Sequence, residues 1–398
     1  MEPTKRMKEH GFSLVELLIV MAIFITVIAI SSHAFNQALM QSKQESRKVE
    51  SQVEGIVGME MMRIDIEHAG YGLPWTFGSA IGYTEATSVT PGGCSDAANS
   101  FNDANNPPRA LVSLDGSGGR GCLHDSDYFV VKSTVAGRSQ ASQEWSYVTA
   151  TTPAVTTKDW TSEGLAGAYQ VIAVRPKFGQ TEIRRLVTSG ATYYKAYSSI
   201  ASFPVQTGDI LYGVDDGGAL GMPFNRADYY VRRPTTGMPS LCSPATGVLY
   251  KATVNHADGR LNELPILDCV ADLQVAFGID TSADQDGTVD CYVDDLADAL
   301  NPLDAQAVRQ RVREVRVYVL RQEGEIDRSF EFDPKSVNAL LADKPCDTCL
   351  RVGETTSRHC TGETLLGRDF DLSASGGTEW KNYRWKVHTL VVKPKNLM

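Results

Sequence analysis

The feature that most constrains this chain is an apolar run of about 20 residues close to its N-terminus. From Phe12 the sequence reads FSLVELLIVMAIFITVIAIS. At about 1.5 Å per residue, a helix of that length crosses the hydrocarbon core of a bilayer. Glu16 is its only ionisable residue. Ahead of it, residues 1–11 (MEPTKRMKEHG) set Lys5, Arg6 and Lys8 against Glu2 and Glu9. Such a weakly basic flank favours a cytoplasmic start, with the rest of the chain sent outward. A secretory signal peptide would have a shorter apolar core and a small-residue cleavage site after it, which Ser32-His33-Ala34 supplies weakly, so this reading stays open. An uncleaved anchor accounts for the span but not for Glu16, because a carboxylate inside an apolar segment is costly and is normally met by a partner. A third reading, beside these two, is a leader removed ahead of the run, so that the hydrophobic helix is retained. Ser13-x-x-Glu16 also has the spacing of a helix capping box.

After Ser32 the helical pattern continues and becomes amphipathic. Val49, Val53, Ile56, Val57, Met61, Ile64 and Ile66 recur near helical spacing, with Lys43, Glu45, Arg47, Lys48 and Glu50 on the polar side. Gly70, Gly72 and Pro74 predict the end of the helix. One helix from Phe12 to about Ala69 would be about 85 Å long. Half of it in a membrane or filament core and half against a head would account for that length. Met59, Met61 and Met62 read as packing residues on such a helix.

Beyond about residue 75 the pattern changes to strands: Asp127–Val135, Gly167–Pro176, Thr207–Val214, Asp228–Arg233, Gly247–Val254, Asp268–Ile279, Val308–Leu320 and Tyr383–Val392. Glu182–Ser198 reads as a hairpin turning at Ser189-Gly190-Ala191. Val315, Val317 and Val319 alternate with Arg316 and Tyr318, the pattern of a half-buried strand. Segments 85–126 and 335–381 read as long polar loops or insertions. The predicted fold is α+β: a long N-terminal helix packed on a largely antiparallel sheet. The expected divisions are a leader at 1–11, a membrane or filament-core helix at 12–31, its amphipathic extension at 32–69 and a β-rich head at 70–398.

Gly11-Phe12-Ser13-Leu14-Val15-Glu16 resembles the type IV prepilin cleavage motif. The resemblance implies that a membrane peptidase cuts after Gly11 and methylates Phe12, which becomes the new N-terminus. It also implies that Glu16, the fifth mature residue, neutralises the terminal amine of a neighbouring subunit and so sets register. Further segments are similar to PilW-type minor pilins: Met62-Arg63-Ile64-Asp65 with Ala69-Gly70-Tyr71, the stretch Asp272–Asp280 followed by Asp286-Gly287, the valine-rich strand at Val315, and Val391–Leu397. The implied role is a minor pilin that primes or caps type IV pilus assembly. The implied partners are other minor pilins, the major pilin, the prepilin peptidase, the inner-membrane assembly platform and a large tip adhesin. The head would lie in the periplasm before assembly and on an extracellular pilus after it. Two alternatives stand beside this reading: a minor pseudopilin of type II secretion, which has the same N-terminal motif, and an exported enzyme or binding protein held by an uncleaved helix.

A net charge of −10 argues against a nucleic-acid-binding surface. Arg309, Arg311 and Arg313 read as the solvated face of a predicted strand. The 8 cysteines, Cys94, Cys122, Cys242, Cys269, Cys291, Cys346, Cys349 and Cys360, suit disulfides in an oxidising compartment, with no pairing assigned. Cys346-Asp347-Thr348-Cys349 with His359-Cys360 has zinc-like spacing, but in an exported chain disulfide formation is the better reading. Asp284, Asp286 and Asp290, followed or interrupted by Gly287, resemble half of a calcium loop, with Asp280, Asp294 or Asp295 as further oxygen donors. The competing reading is an acidic turn. Asp294, Asp295, Asp298 and Asp304 read as a solvated helix face. Asp115–Gly119 has the look of a serine-protease loop, but no nucleophile, base and orienting group assemble around it. The chain therefore reads as a non-enzyme with no cofactor beyond that calcium.

Overall fold

No glycine or proline interrupts the sequence from Ser13 to Glu54, so nothing breaks the run of helical hydrogen bonds, and helix α1 covers Leu14–Glu67. The structure is a computed structural model that describes residues 13–87, 94, 97–114, 122–160, 164–177, 184–334, 346–354, 358–360, 362, 366–373 and 377–397. The chain divides into two compact units, Met1–Ser51 and Gln52–Met398. In the first, Leu14–Met40 is long and apolar enough to cross a membrane, and none of it is buried within the chain.

In the second unit, α1 lies on a large sheet. Its buried face is Gly55, Gly58, Met62, Asp65 and Ile66, continued by Ala69. The predicted stripe is only partly right: Val53, Ile56 and Val57 are exposed, whereas Ile66 and, from the methionine cluster, Met62 are fully buried, with Met59 and Met61 packed against the same core. The reason is steric. A β-carbon on Gly58 would stand 2.2 Å from the Ile266 carbonyl oxygen, so the helix meets strand backbone with glycine and not with a branched side chain. The predicted stop is correct. Gly70 has a positive φ of 81°, a conformation that residues with a β-carbon rarely adopt, and its amide donates to the Lys132 carbonyl at 3.0 Å.

The strands are β1 (Thr76–Phe77), β2 (Leu111–Leu114), β3 (Tyr128–Ser133), β4 (Trp145–Ala150), β5 (Thr156–Thr157), β6 (Gln170–Pro176), β7 (Arg184–Leu186), β8 (Lys195–Ala196), β9 (Ile210–Asp215), β10 (Asn225–Arg232), β11 (Gly247–Val254), β12 (Leu261–Ile279), β13 (Cys291–Val293), β14 (Val312–Glu323), β15 (Cys349–Glu354), β16 (Leu366–Asp371) and β17 (Arg384–Val392). Short helices are α2 (Ala97–Ser100), α3 (Leu296–Ala299) and α4 (Ala305–Arg311). Among the described residues, an antiparallel sheet runs β17-β14-β12-β11-β10-β3-β2, with β13 added to β12. A second sheet runs β1-β7-β6-β9-β4-β5 with β8 on β6, and β15-β16 form a separate hairpin. The head is thus largely antiparallel, and the whole is α+β.

Cross-strand pairs explain the central register. Val275 faces Val317, Phe277 faces Val315 and Leu273 faces Val319, all on the face that carries Met62 and Ile66 into one core. The opposite face is not solvated as the alternation suggested. Tyr318 and Leu320 join Leu350, Val352, Leu366 and Phe370 in a second core beneath the β15-β16 hairpin. That hairpin lies inside segment 335–381, and β2 inside segment 85–126, so both predicted loops contain strands. The predicted hairpin at Glu182–Ser198 also differs. Ser189 and Thr192 do bridge, but β7 and β8 each pair with β6 and not with one another. Nor does β14 begin at Val308. Asp304 caps α4 by accepting the Ala307 amide at 2.7 Å, which makes Arg309 and Arg311 helical.

Candidate functional site

Gly11 and Phe12 lie outside the described residues. The first described turn is a capping box: the Ser13 amide donates to Glu16 Oε2 at 3.1 Å, and the Glu16 amide donates to Ser13 Oγ at 3.2 Å. The carboxylate thus sits, exposed, at the positive end of the helix dipole. Only Oε2 is used by the cap. The capping and partner readings of Glu16 are therefore compatible: the cap fixes the side chain, and a second oxygen remains to accept a donor from another chain.

The other end of α1 is fastened by a buried charge cluster. Asp65, with 3% of its side chain exposed, accepts the Tyr229 hydroxyl at 2.5 Å, pairs with Lys251 and takes Arg138 Nη2 at 3.2 Å. Burial drives the Lys251 ammonium below its usual range, with Asp65 opposing that effect, and raises Tyr229 well above the ordinary phenol. The C-terminal tail closes over the same place. The Lys395 amide donates to the Glu67 carbonyl at 3.0 Å and its ammonium pairs with the Glu67 carboxylate. Segments 62–71 and 391–397, noted separately in the sequence, are thus brought together. Sequence reasoning missed Tyr229, Lys251 and Arg138. A lysine between Tyr250 and Ala252 in an otherwise apolar strand was the available signal.

Segment 85–126 is held by a second cluster. Lys132 Nζ lies 2.7 Å from Glu85 and 2.5 Å from Asp103, while Arg226 pairs with Glu85 at 3.0 Å and with Asp228 at 2.7 Å. Tyr128 donates to Asp228 at 2.6 Å. Burial raises the Asp103 carboxyl, but Lys132 and Arg109 overcome it and hold the group below the usual carboxylate range. The hairpin over the second core is tied on by Arg368, which takes Asp272 at 2.6 Å, and by Arg316, which pairs with Glu314 at 2.8 Å and with Glu354.

The cysteines pair as Cys94–Cys122, Cys242–Cys269, Cys291–Cys360 and Cys346–Cys349. The zinc-like spacing is therefore taken up by two bridges, one of which reaches Cys291. Around the calcium-like loop, Asp290 Oδ2 accepts the Thr281 and Ser282 amides at 2.8 and 3.0 Å. These amides hold the Asp290 carboxyl below its usual range. Asp280 Oδ2 accepts the Gly287 amide at 2.9 Å and Asp286 Oδ1 the Thr288 amide at 2.8 Å. Asp284 is exposed. Asp284, Asp286 and Asp290 are not gathered into one oxygen cluster, and no group of three or more His, Cys, Asp or Glu among the described residues is placed to hold a metal. The arginines expected on a solvated strand face are engaged instead: Arg313 lies 3.4 Å from Asp280 and Arg311 Nη1 donates to its carbonyl at 3.2 Å. The expected solvated helix face is likewise partly occupied. Asp295 caps α3 through the Ala297 amide, and Asp294 accepts the Gly367 amide at 3.1 Å. Residues 115–119 lie outside the described residues.

Residues 228–369 match the family model for type IV pilus-assembly protein W, and residues 6–32 match the prokaryotic N-terminal methylation motif. Neither a curated protein nor a solved structure matches the chain. The first match runs from β10 into β16 and so takes in the central strands of the large sheet together with the hairpin packed on it. The second takes in the capping box and the apolar span. Motif, membrane-length helix and antiparallel head agree, and the two family matches support a PilW-type type IV pilin-like protein.

Proposed function

We propose that the chain is a minor pilin that primes or caps type IV pilus assembly after cleavage behind Gly11 and methylation of Phe12. It is stored in the inner membrane by its apolar helix with the head in the periplasm, and is then drawn into a filament. The observation that carries this reading is the capped, exposed Glu16 at the start of an uncovered apolar span. A carboxylate entering an apolar helix bundle needs a positive partner, and the methylated amine of a neighbouring subunit supplies one. The exposed Val53, Ile56 and Val57 give the same helix a second apolar face for neighbouring helices. Major pilin, other minor pilins, prepilin peptidase and the assembly platform are the partners this reading requires.

The test is Glu16→Ala, followed in membrane and sheared-filament fractions by immunoblot. Membrane levels stay at wild type and filament recovery falls at least about tenfold, the size of effect given by loss of about 1.4 kcal/mol of pairing. Equal recovery of the variant in filaments contradicts the role given to Glu16. Recovery only with a secretion apparatus, and never with pili, selects the pseudopilin reading.

A further inference from the structure

Trp75 follows the turn that ends α1 and is held by its own amide, which donates to the Arg184 carbonyl at 2.7 Å. Two arginines from distant parts of the chain meet on its ring. The Arg309 guanidinium from α4 lies 3.9 Å from the ring centroid and that of Arg184 from β7 lies 5.2 Å from it. Cation–π contact holds both side chains in place. It does not neutralise them, and neither forms an ion pair with a described carboxylate. The contrast within the head is sharp, since Arg63, Arg109, Arg175, Arg226, Arg232, Arg316, Arg351 and Arg368 each have one. Asp304, whose field favours the Arg309 charge, is occupied in capping α4. Burial, reinforced by repulsion from the Arg184 guanidinium, pushes Arg309 down to about 10.

We propose that Arg184 and Arg309 form a binding site for an oxyanion, a phosphate, sulfate or carboxylate group carried by a ligand of the head. A single anion relieves the repulsion between the two guanidiniums and accepts their planar hydrogen-bond donors, the geometry for which arginine is suited. Through Trp75 the pair adjoins a cleft of about 470 Å³, which neither arginine lines and whose walls include Asn106, Arg109, Gln306 and the carboxylates Asp103 and Asp304; it leaves room for the body that carries the anion. The site is independent of how the chain is assembled.

The experiment is calorimetric titration of the full-length protein in neutral detergent with inorganic phosphate, at constant ionic strength set by chloride. Saturable binding with a dissociation constant of about 1 mM or tighter is expected. Arg184→Gln and Arg309→Gln each weaken it at least about tenfold, and Arg260→Gln, a change at an exposed arginine, leaves it unaltered. Arg309→Glu gives Arg184 an internal partner and abolishes binding with the melting temperature maintained, which separates loss of the site from loss of the fold. Absence of saturation, or equal affinity in wild type and both glutamine variants, overturns the proposal. Displacement of phosphate by trigalacturonate assigns the anion to an acidic saccharide. Displacement by dihexanoylphosphatidylglycerol below its micelle concentration assigns it to a lipid headgroup. Displacement by neither leaves a free inorganic oxyanion as the ligand, and each of the three is a form of the same site.

Discussion

At Asp65 one carboxylate serves Tyr229, Lys251 and Arg138, which come from β10, β11 and the turn after β3. Removing it strands an ammonium that is almost fully buried. Asp65→Ala is therefore expected to destabilise the head by about 3–5 kcal/mol, read as a lowered denaturation midpoint. Asp65→Asn, which retains an acceptor for Tyr229, is expected to cost less. A second residue gives a pH dependence. His256 donates from Nε2 to Asn225 Oδ1 at 3.0 Å, because the Asn225 amide nitrogen is already spent on the Thr134 and Val214 carbonyls. Burial pushes its imidazole down to about 4 from an ordinary 6.5, with Asp215 opposing. The folded state thus holds a neutral ring where the unfolded chain takes up a proton. Its contribution is complete above pH 6.5 and is lost progressively as the pH falls towards about 4. The loss is about 3 kcal/mol, and His256→Gln is expected to flatten that part of the stability profile measured by denaturant titration from pH 7 to about pH 4.

At the scale of elements, the contact between α1 and β12 depends on a residue with no side chain. Gly58→Leu would drive its side chain into the Ile266 carbonyl and lift the helix from the sheet. The expected cost is about 3 kcal/mol or more, visible as a lowered melting temperature and faster proteolysis near Gly70, whereas Ile56→Leu on the exposed side changes neither. That contact also shows which parts of the fold were legible. The strands at Gly247–Val254 and Asp268–Ile279 were readable because β-branched and aromatic residues repeat between turn residues. The end of α1 was readable because Gly70 and Gly72 punctuate it. The buried face of α1 was not, since hydrophobic periodicity assigns burial to valine and isoleucine and cannot see that the facing backbone is too close for them. The second core was also hidden. Leu350, Val352, Leu366 and Phe370 are dispersed in a polar, cysteine-bearing segment, and only their packing on Tyr318 and Leu320 makes them strands. The charge clusters at Asp65 and Lys132 were missed for a related reason: their members are far apart in sequence and each reads alone as an ordinary polar residue.

For the whole molecule, the features fall into two groups with different work to do. Met1–Ser51 carries the apolar span, Glu16 and the match to the methylation motif. Gln52–Met398 carries the sheets, the disulfides and the match to pilus-assembly protein W. The first group was the more legible in the sequence, because the motif is contiguous and membrane crossing sets the length of an apolar run. The second was legible only as scattered strands, whose order across the sheets no local pattern encodes. The central claim is that this chain is processed and assembled as a pilin. Its most direct test is mass spectrometry of the N-terminal peptide from protein recovered in sheared surface filaments. The account predicts a chain beginning at methylated Phe12, with residues 1–11 gone. A chain beginning at Met1, or cut after Ala34, would contradict it.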